Sequence, residues 1–215
     1  MKIRLIYFNI PFWRAEVSRI ALYIGNIPFE DVRMKGDDFS YIKENGTMKD
    51  GTIIPFRQLP VLEVDGHIIA QTAAIARFCG KLSGLYPIDN SILAGQVDQV
   101  IDSATDINLL LRPSMKEEDP IKKVRLRKEL SNGDMSKYLN YLEQLLMKNK
   151  SDQWFVGGEM TIADIAIWRL TGWLTSGIID GLSKDLLKNL PLLTKLCEDV
   201  SNNSKVIEWV NKTYP

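Results

Sequence analysis

Residue types that carry metal or redox chemistry are scarce in this chain. Its two cysteines, Cys79 and Cys197, lie far apart and form neither a Cys-x-x-Cys motif nor a zinc-type spacing. His67 is the single histidine, so a cluster of histidine ligands cannot form. We therefore expect no bound metal and no disulfide. Hydroxyl, guanidinium and carboxylate groups remain as the candidates for chemistry.

A phenol and a guanidinium stand near the junction of the first two predicted elements. Tyr7 lies at the end of an apolar run, and Arg14 opens a stretch with apolar residues at helical spacing. A phenol can donate a hydrogen bond to an anion, and a guanidinium supplies positive charge. The residues alone leave two plainer roles open: packing for Tyr7, and a surface ion pair for Arg14, for instance with Glu16.

A series of carboxylates occurs further along the chain. Asp98, Asp102 and Asp106 follow one another at intervals of four, which places them on one face of a helix. Most acidic stripes of this kind are solvated helix faces. The spacing by itself therefore predicts a charged face and no specific site.

The first part of the chain predicts alternating strands and helices. Ile3 to Phe8 is typical of a strand, and Arg14 to Ile24 has the apolar period of a helix. Phe29 to Met34 predicts a second strand and Asp37 to Asn45 a weak helix. The polar, glycine-containing stretch from 45 to 52 predicts a loop.

The strongest local pattern is a hairpin. Pro60 to Val64 and His67 to Ala70 are β-rich runs, and the dipeptide between them, Asp65-Gly66, is favoured in two-residue hairpin turns. A helix is predicted to begin at Thr72. The order β-α-β-α-β-β-α implies a mixed sheet with helices on its faces.

Strand patterns nearly vanish after the segment 84–87, Gly-Leu-Tyr-Pro. Apolar residues then recur at helical spacing over 93–111 and 135–146, and Thr161 with Asp164 forms a capping-box pattern before an apolar helix. We therefore predict an α/β domain over residues 1–83 and an all-helical bundle domain over residues 88–215.

The charge balance limits the kinds of partner. Lys plus Arg and Asp plus Glu both number 27, so no broad field attracts nucleic acid or an anionic membrane. The N-terminus lacks the pattern of a signal peptide, and no run approaches the roughly 20 apolar residues of a membrane span. We expect a soluble, cytoplasmic protein whose partners are small molecules or other proteins.

Three separated segments carry a family resemblance: 7–16, with Tyr-Phe-Asn and Arg-Ala-Glu at its ends; 58–66, Gln-Leu-Pro-Val-Leu-Glu-Val-Asp-Gly; and 71–77, Gln-Thr-Ala-Ala-Ile-Ala-Arg. In this order they resemble the cytosolic glutathione transferases, most closely the tyrosine-type, sigma-like group. Segments 161–164 and 189–193 resemble the helical-domain signatures of that family. The resemblance implies a thioredoxin-like domain that binds glutathione and a helical domain that completes an electrophile pocket.

The implied chemistry begins with glutathione, the co-substrate. A free thiol of pKa about 8.5 is only about 3% ionised at pH 7, yet the thiolate is the nucleophile. By resemblance, Tyr7 donates a hydrogen bond to that thiolate and Arg14 is the positive neighbour. The expected activities are conjugation of hydrophobic electrophiles, as in detoxification, and glutathione-dependent isomerisation or peroxide reduction.

The resemblance also implies how glutathione is held. A cis Leu59–Pro60 bond presents the backbone of Leu59 to the cysteinyl part, Gln71 and Thr72 at a helix start bind the γ-glutamyl carboxylate, and Lys43 pairs with the glycine end. Asp98 reaches the ligand of the other subunit, so a homodimer is expected. The full set of implied glutathione ligands is Tyr7, Arg14, Phe39, Lys43, Gln58, Leu59, Pro60, Gln71, Thr72 and Asp98.

The electrophile pocket is expected between the two domains. Trp13 stands where the family commonly has a small residue, so its indole either narrows the pocket or packs beneath it. The predicted pocket residues are Ile10, Phe12, Trp13, Thr105, Asn108 and Arg112.

Two other functions remain as alternatives. A non-catalytic ligand carrier or a lens-type structural protein can use the same fold, because fold does not settle function. A thioredoxin-like redox protein ranks last, since residues 10–13, Ile-Pro-Phe-Trp, contain no cysteine pair.

Overall fold

The structure, a computed structural model, describes residues 1–149 and 153–214. Its first part follows the predicted order of strands and helices. The elements are β1 (Ile3–Phe8), α1 (Trp13–Ile24), β2 (Glu30–Met34), α2 (Gly36–Asn45), β3 (Val61–Val64), β4 (His67–Ala70) and α3 (Thr72–Ser83). The predicted β-α-β-α-β-β-α order is confirmed.

The four strands form one mixed sheet in the order β2-β1-β3-β4. Strand β1 runs parallel to β2 and antiparallel to β3, as in a thioredoxin-like domain. The β3–β4 hairpin turns at Asp65 and Gly66, which have φ of +47° and +83°. Both values lie in the left-handed region that a type I′ turn requires, so the Asp-Gly pair sets this turn.

The second part is helical throughout the described residues. Helices α4 and α7 correspond to the two predicted apolar patterns. The elements are α4 (Ser91–Leu110), α5 (Arg112–Lys116), α6 (Pro120–Asn132), α7 (Asp134–Lys148), α8 (Ile162–Thr175), α9 (Pro191–Ser201) and α10 (Ser204–Thr213).

The predicted capping box at the start of α8 is present. Thr161 Oγ1 accepts the Ala163 N–H at 3.2 Å, and Asp164 Oδ2 accepts the Thr161 N–H at 2.7 Å. Asp164 is fully buried and also accepts the Phe155 N–H at 2.9 Å, which ties the preceding loop to the helix. This end of α8 is therefore fixed inside the core.

The main core runs without a break from one face of the sheet into the helical part. Buried apolar residues of α1 and α3 share one cluster with those of α4, α7, α8, α9 and α10. A smaller cluster around Ile6, Met34, Ile42, Ile54 and Val61 covers the other face of the sheet beneath α2. The shared core holds α4 in a fixed position opposite the start of α3.

None of the described helices is both long and apolar enough to cross a lipid bilayer.

Candidate active site

An open cleft of about 630 Å³ lies between the sheet part and α4. One wall comes from the segment before β3 and the start of α3, and the other comes from the C-terminal half of α4 and from α5. The residues that line the cleft are Arg14, Phe56, Gln58, Leu59, Pro60, Ala70, Gln71, Thr72, Thr105, Asn108, Leu109, Arg112 and Met115.

Tyr7 is held near the C-terminal end of β1, with 4% of its surface exposed. Burial raises the pKa of its phenol to about 12, although the positive charges of Arg14 and Arg19 oppose the rise. The phenol is therefore neutral at physiological pH and keeps its proton to donate. Its hydroxyl makes no hydrogen bond to any residue in the described part of the chain, and Tyr7 is not among the residues that line the cleft.

Arg14 lies in the first turn of α1 and reaches from the sheet side into the cleft. Its Nη1 donates to Thr72 Oγ1 at 3.4 Å, which links the starts of α1 and α3. Burial lowers the pKa of Arg14, but a guanidinium stays protonated at neutral pH. The cleft thus holds a fixed positive charge close to the Tyr7 phenol.

The Leu59–Pro60 peptide is cis, as the resemblance implies. Leu59, Pro60 and the exposed Gln58 all line the cleft just before β3 begins. Within the part of the chain that the structure describes, the backbone of Leu59 has no hydrogen-bond partner. Its N–H and C=O are free to pair with an extended ligand in the manner of an added strand.

Gln71 and Thr72 bring the N-terminus of α3 to the cleft. Gln71 precedes the helix with a φ of +75°, an uncommon value for a non-glycine residue, and Thr72 is the first helical residue. Thr72 does not cap the helix, because no side-chain hydrogen bond caps its N-terminus. The N–H groups of the first turn lack intrahelical partners and favour an anion.

Phe39 and Lys43 are not brought into the cleft. Both lie on α2, whose buried Ile42 packs on the opposite face of the sheet. Lys43 Nζ lies 5.0 Å from the centroid of the Phe39 ring, and that ring packs edge-on against Phe8 at 4.9 Å. The cation and the aromatic ring therefore contact each other and not the cleft.

The residues predicted to form the electrophile pocket fall into two groups, those that line the cleft and those that do not. Thr105, Asn108 and Arg112 line the cleft from α4 and the start of α5, as expected. Of the two positions that the sequence left open for the Trp13 indole, the structure has the one beneath the pocket, because the indole is completely buried. Trp13 Nε1 donates to Asn108 Oδ1 at 3.1 Å, so the indole lies beneath the pocket and orients the amide that lines it.

Ile10 and Phe12 are the other two predicted pocket residues, and neither is among those that line the cleft. Phe12 packs edge-on against Trp173 of α8 at 4.7 Å between ring centroids. Ile10 is 45% exposed on the loop after β1. Packing between α1 and α8 accounts for the position of Phe12. Because Phe12 and Trp173 are far apart in the chain, the spacing of residues along the sequence could not predict this contact.

Three exposed apolar side chains for which no role was predicted also line the cleft. Phe56, Leu109 and Met115 have 60%, 45% and 58% of their surface exposed. Leu109 shares a helix face with Thr105, and that spacing could have indicated it. Phe56 and Met115 lie outside the predicted strands and helices and carried no comparable signal.

Asp98 ties α3 to α4 within the chain. Its Oδ1 accepts from Arg77 Nε at 2.6 Å and from the Tyr86 hydroxyl at 3.0 Å. Arg77 Nη2 also binds Asp102 at 2.9 Å. Asp98 is not among the residues that line the cleft of its own chain.

No group of three or more His, Cys, Asp or Glu side chains suited to a metal ion occurs among residues 1–149 and 153–214. Cys79 and Cys197 are unpaired, and burial raises the pKa of their thiols to about 12 and about 11. At neutral pH both are protonated and poorly nucleophilic. Neither cysteine lines the cleft.

Comparison with known proteins assigns the family. Residues 3–80 match the family model "Glutathione S-transferase, N-terminal domain", and residues 105–213 match "Glutathione S-transferase, C-terminal domain". The chain belongs to the glutathione S-transferase family. It is an enzyme of the glutathione-dependent transferase or isomerase type, and its family uses glutathione as co-substrate.

Relatives of this glutathione transferase match it over almost its full length. It is 32% identical to "Glutathione S-transferase 1" of Ascaris suum, over 96% of this chain and 94% of the relative. The solved prostaglandin synthase D of Nilaparvata lugens has a TM-score of 0.83 at 28% identity, and the match covers 100% of this chain and 99% of that one. A Necator americanus glutathione S-transferase described as monomeric has a TM-score of 0.80 at 26% identity, covering 100% and 98%.

Proposed function

We propose that this enzyme binds glutathione along the sheet wall of the cleft and ionises its thiol through Tyr7. The observation that carries the proposal is a buried, neutral phenol with no partner among the described residues, beside the fixed charge of Arg14. A hydrogen bond from a neutral donor stabilises a thiolate without leaving a second buried charge. Tyr7 is then the hydrogen-bond donor and Arg14 its electrostatic support.

The proposed orientation of glutathione follows from the polar groups of the sheet wall. The γ-glutamyl carboxylate binds at the N-terminus of α3, beside Gln71 and Thr72. The cysteinyl backbone pairs with the free N–H and C=O of Leu59, and the glycine end extends past Gln58. This placement leaves the opposite wall, with Thr105, Asn108 and Arg112, for the second substrate.

The proposed reaction starts with the thiolate attacking an electrophilic atom of the second substrate. Conjugation forms a sulfur–carbon bond in one of two ways. In a substitution, a leaving group departs from the attacked carbon. In an addition to a conjugated double bond, the far carbon of that bond accepts a proton. The similar Nilaparvata lugens protein is named a prostaglandin synthase. We accordingly place this enzyme in the sigma-like class, with glutathione-dependent isomerisation and peroxide reduction as related activities.

Ultraviolet titration tests the proposed function. Glutathione added to the protein at pH 7 is expected to produce a thiolate absorbance band, and S-methylglutathione, which lacks the thiol, is expected to bind without producing it. A generic aryl halide should then be conjugated at a rate that saturates with glutathione. If both ligands bind and no thiolate forms, the protein is the non-catalytic carrier that the sequence left as the alternative.

The proposal includes two properties of the whole protein. We infer a homodimer, in which Asp98 approaches the glutathione of the partner subunit with the carboxylate oxygen that Arg77 and Tyr86 leave free.

We also infer a cytoplasmic location, for which the two unpaired cysteines and the use of a reduced thiol as co-substrate give support.

A further inference from the structure

The chain directly after Tyr7 is held by a completely buried arginine. Arg19 of α1 donates to the C=O groups of Phe8 and Ile10, from Nη2 and Nη1, both at 3.2 Å. The guanidinium carbon of Arg19 also lies 5.9 Å from the centroid of the Tyr7 ring. Arg19 therefore fixes the path of the loop after β1 and contacts one side of the phenol ring.

A second arginine holds the same loop. Arg33 of β2 donates from Nη1 to Asn9 Oδ1 at 2.7 Å. Asp31 joins the two arginines, because its Oδ1 accepts from Arg19 Nε at 2.9 Å and its Oδ2 accepts from Arg33 Nε at 2.8 Å. We refer to Arg19, Asp31 and Arg33 as the loop clamp. The clamp grips three successive residues that follow Tyr7.

Tyr214, which follows α10, is connected to both arginines of the loop clamp. Its hydroxyl donates to Glu16 Oε2 at 2.7 Å, and Arg19 Nη1 donates to the same oxygen at 3.2 Å. The centroid of the Tyr214 ring lies 5.4 Å from the guanidinium carbon of Arg33. Glu16 is completely buried, so water does not readily replace a donor that this carboxylate loses.

We propose that the loop clamp positions the Tyr7 hydroxyl for the glutathione thiol and that Tyr214 holds the clamp in place. When the hydroxyl of Tyr214 is removed, the Glu16 carboxylate draws Arg19 Nη1 closer, and the bond from Nη1 to the loop weakens. A hydrogen bond weakens steeply as its angle departs from linear, so a small displacement of the phenol weakens its bond to the thiolate.

The inference rests on the proposed function, because the thiol must lie at Tyr7 for the position of this side chain to matter. Neither the loop clamp nor Tyr214 is among the described residues that line the cleft. All four are therefore positioning residues, which act on the thiol through Tyr7.

Two mild variants test the inference. Tyr214→Phe removes the hydroxyl and keeps the ring beside Arg33, and Asn9→Ala removes the exposed amide that Arg33 holds. Neither variant removes a charge, so a change in the thiol pKa reports the geometry at Tyr7. Each is expected to raise the pKa of bound glutathione by about half a unit, which lowers the thiolate fraction roughly threefold at a pH well below that pKa.

The measurement is thiolate absorbance titrated with pH on the saturated enzyme, at a temperature at which every variant stays folded. The pH profile of kcat should move by the same amount, with the rate recovering at high pH. Affinity for S-methylglutathione, which has no ionisable thiol, should stay at the wild-type value. Weaker binding of S-methylglutathione with an unshifted thiol pKa would overturn the inference, since the clamp would then shape the binding site and not the position of Tyr7.

Two control variants separate positioning from stability. Tyr23→Phe makes the same chemical change at a hydroxyl that donates to the exposed Glu208. Asp119→Ala removes the side-chain cap of α6 and lowers stability away from the loop clamp. Both should keep the wild-type thiol pKa. A shift in either control equal to that in Tyr214→Phe would overturn the inference, because general loosening of the fold would then explain it.

The remaining outcomes distinguish this inference from the proposed function. If the wild type forms a thiolate and neither Tyr214→Phe nor Asn9→Ala shifts its pKa, the function stands and the inference is refuted. If only Asn9→Ala shifts the pKa, the role of Tyr214 is refuted. If glutathione binds the wild type and no thiolate forms, the proposed function fails, and the inference fails with it.

Discussion

At the scale of single residues, the proposed chemistry depends on a phenol that keeps its proton. Burial of Tyr7 raises its pKa to about 12, so at pH 7 it is a donor and not a base. The positive charge of Arg14 opposes the rise in the pKa of the phenol. Arg14 Nη1 also donates a hydrogen bond to Thr72 Oγ1. Three side chains from β1, α1 and α3 are thus the ones that we propose to stabilise a thiolate.

Tyr7→Phe should raise the pKa of bound glutathione by about one to two units, because it removes a donor worth about 1.5 to 3 kcal/mol and keeps the ring. Glutathione affinity should change little. Thiolate absorbance, titrated with pH on the saturated enzyme, measures the shift. Turnover should fall at pH 7 and recover at high pH, where the thiol ionises unaided. An unshifted thiol pKa with full activity would remove Tyr7 from the mechanism.

Thr72→Val should weaken glutathione binding by about 1 to 3 kcal/mol, because it replaces the hydroxyl that Arg14 contacts with a methyl group of the same shape. Thr72→Ser keeps the hydroxyl and serves as the control, with nearly wild-type affinity. Calorimetric titration compares the two variants. Equal affinities would mean that the backbone N–H groups of α3 alone hold the γ-glutamyl carboxylate.

At the scale of elements, helix α8 is held at its start by a buried carboxylate. Asp164→Ala should lower the free energy of unfolding by roughly 3 to 5 kcal/mol, because it removes the cap and leaves the buried N–H groups of Thr161 and Phe155 unpaired. Asp119→Ala removes the exposed cap of α6 and should cost only about 1 kcal/mol. Denaturant unfolding compares them, and equal losses would contradict a special role for the α8 cap.

The same carboxylate makes stability depend on pH. Burial raises the pKa of Asp164 to about 6 in the folded protein, against about 3.9 in the unfolded chain. The folded state therefore binds this proton more tightly, and the stabilisation from protonated Asp164 is present below about pH 4 and lost as the pH rises through 6. Unfolding measured between pH 4 and 7 should show this decrease in the wild type and not in Asp164→Ala.

The end of the chain is anchored on α1 by the buried Glu16. Tyr214 donates its hydroxyl to Glu16 Oε2 at 2.7 Å, while Arg19 and Trp209 bind the same carboxylate. Tyr214→Phe should therefore destabilise the fold by about 1.5 to 3 kcal/mol.

The control for this anchor is Tyr23→Phe. The Tyr23 hydroxyl donates at 3.3 Å to Glu208 on the surface, so its loss should cost less than about 0.5 kcal/mol. Thermal unfolding of the two variants gives the comparison. A Tyr214→Phe variant as stable as Tyr23→Phe would show that Glu16 is satisfied without the C-terminal tyrosine.

At the scale of the whole molecule, the proposed dimer concerns Asp98. Light scattering should give twice the mass of the chain, and Asp98→Ala should weaken glutathione binding about tenfold if its carboxylate reaches the partner's ligand. Asp102→Ala breaks the other ion pair of Arg77 and should leave the affinity unchanged. A monomer with normal glutathione affinity, or equal effects of the two variants, would refute the shared site.

The sequence by itself determined the order of the elements and the sheet wall of the cleft. The Asp65-Gly66 turn and the helix periods act over a few residues, so they can be read along the chain. The family resemblance, carried by short continuous segments, pointed to Gln58, Leu59, Gln71 and Thr72, and the structure places all four along the cleft.

Only the tertiary structure decided which residue supports the helical wall and which apolar side chains line the cleft. Trp13 is buried because α1 packs against the helical part, which turned an expected pocket residue into a support for Asn108. Phe56 and Met115 are far apart in sequence, and they line the same cleft because the shared core holds the helical part against the sheet. Contacts between distant elements depend on packing in three dimensions, so they cannot be predicted from the spacing of residues along the chain.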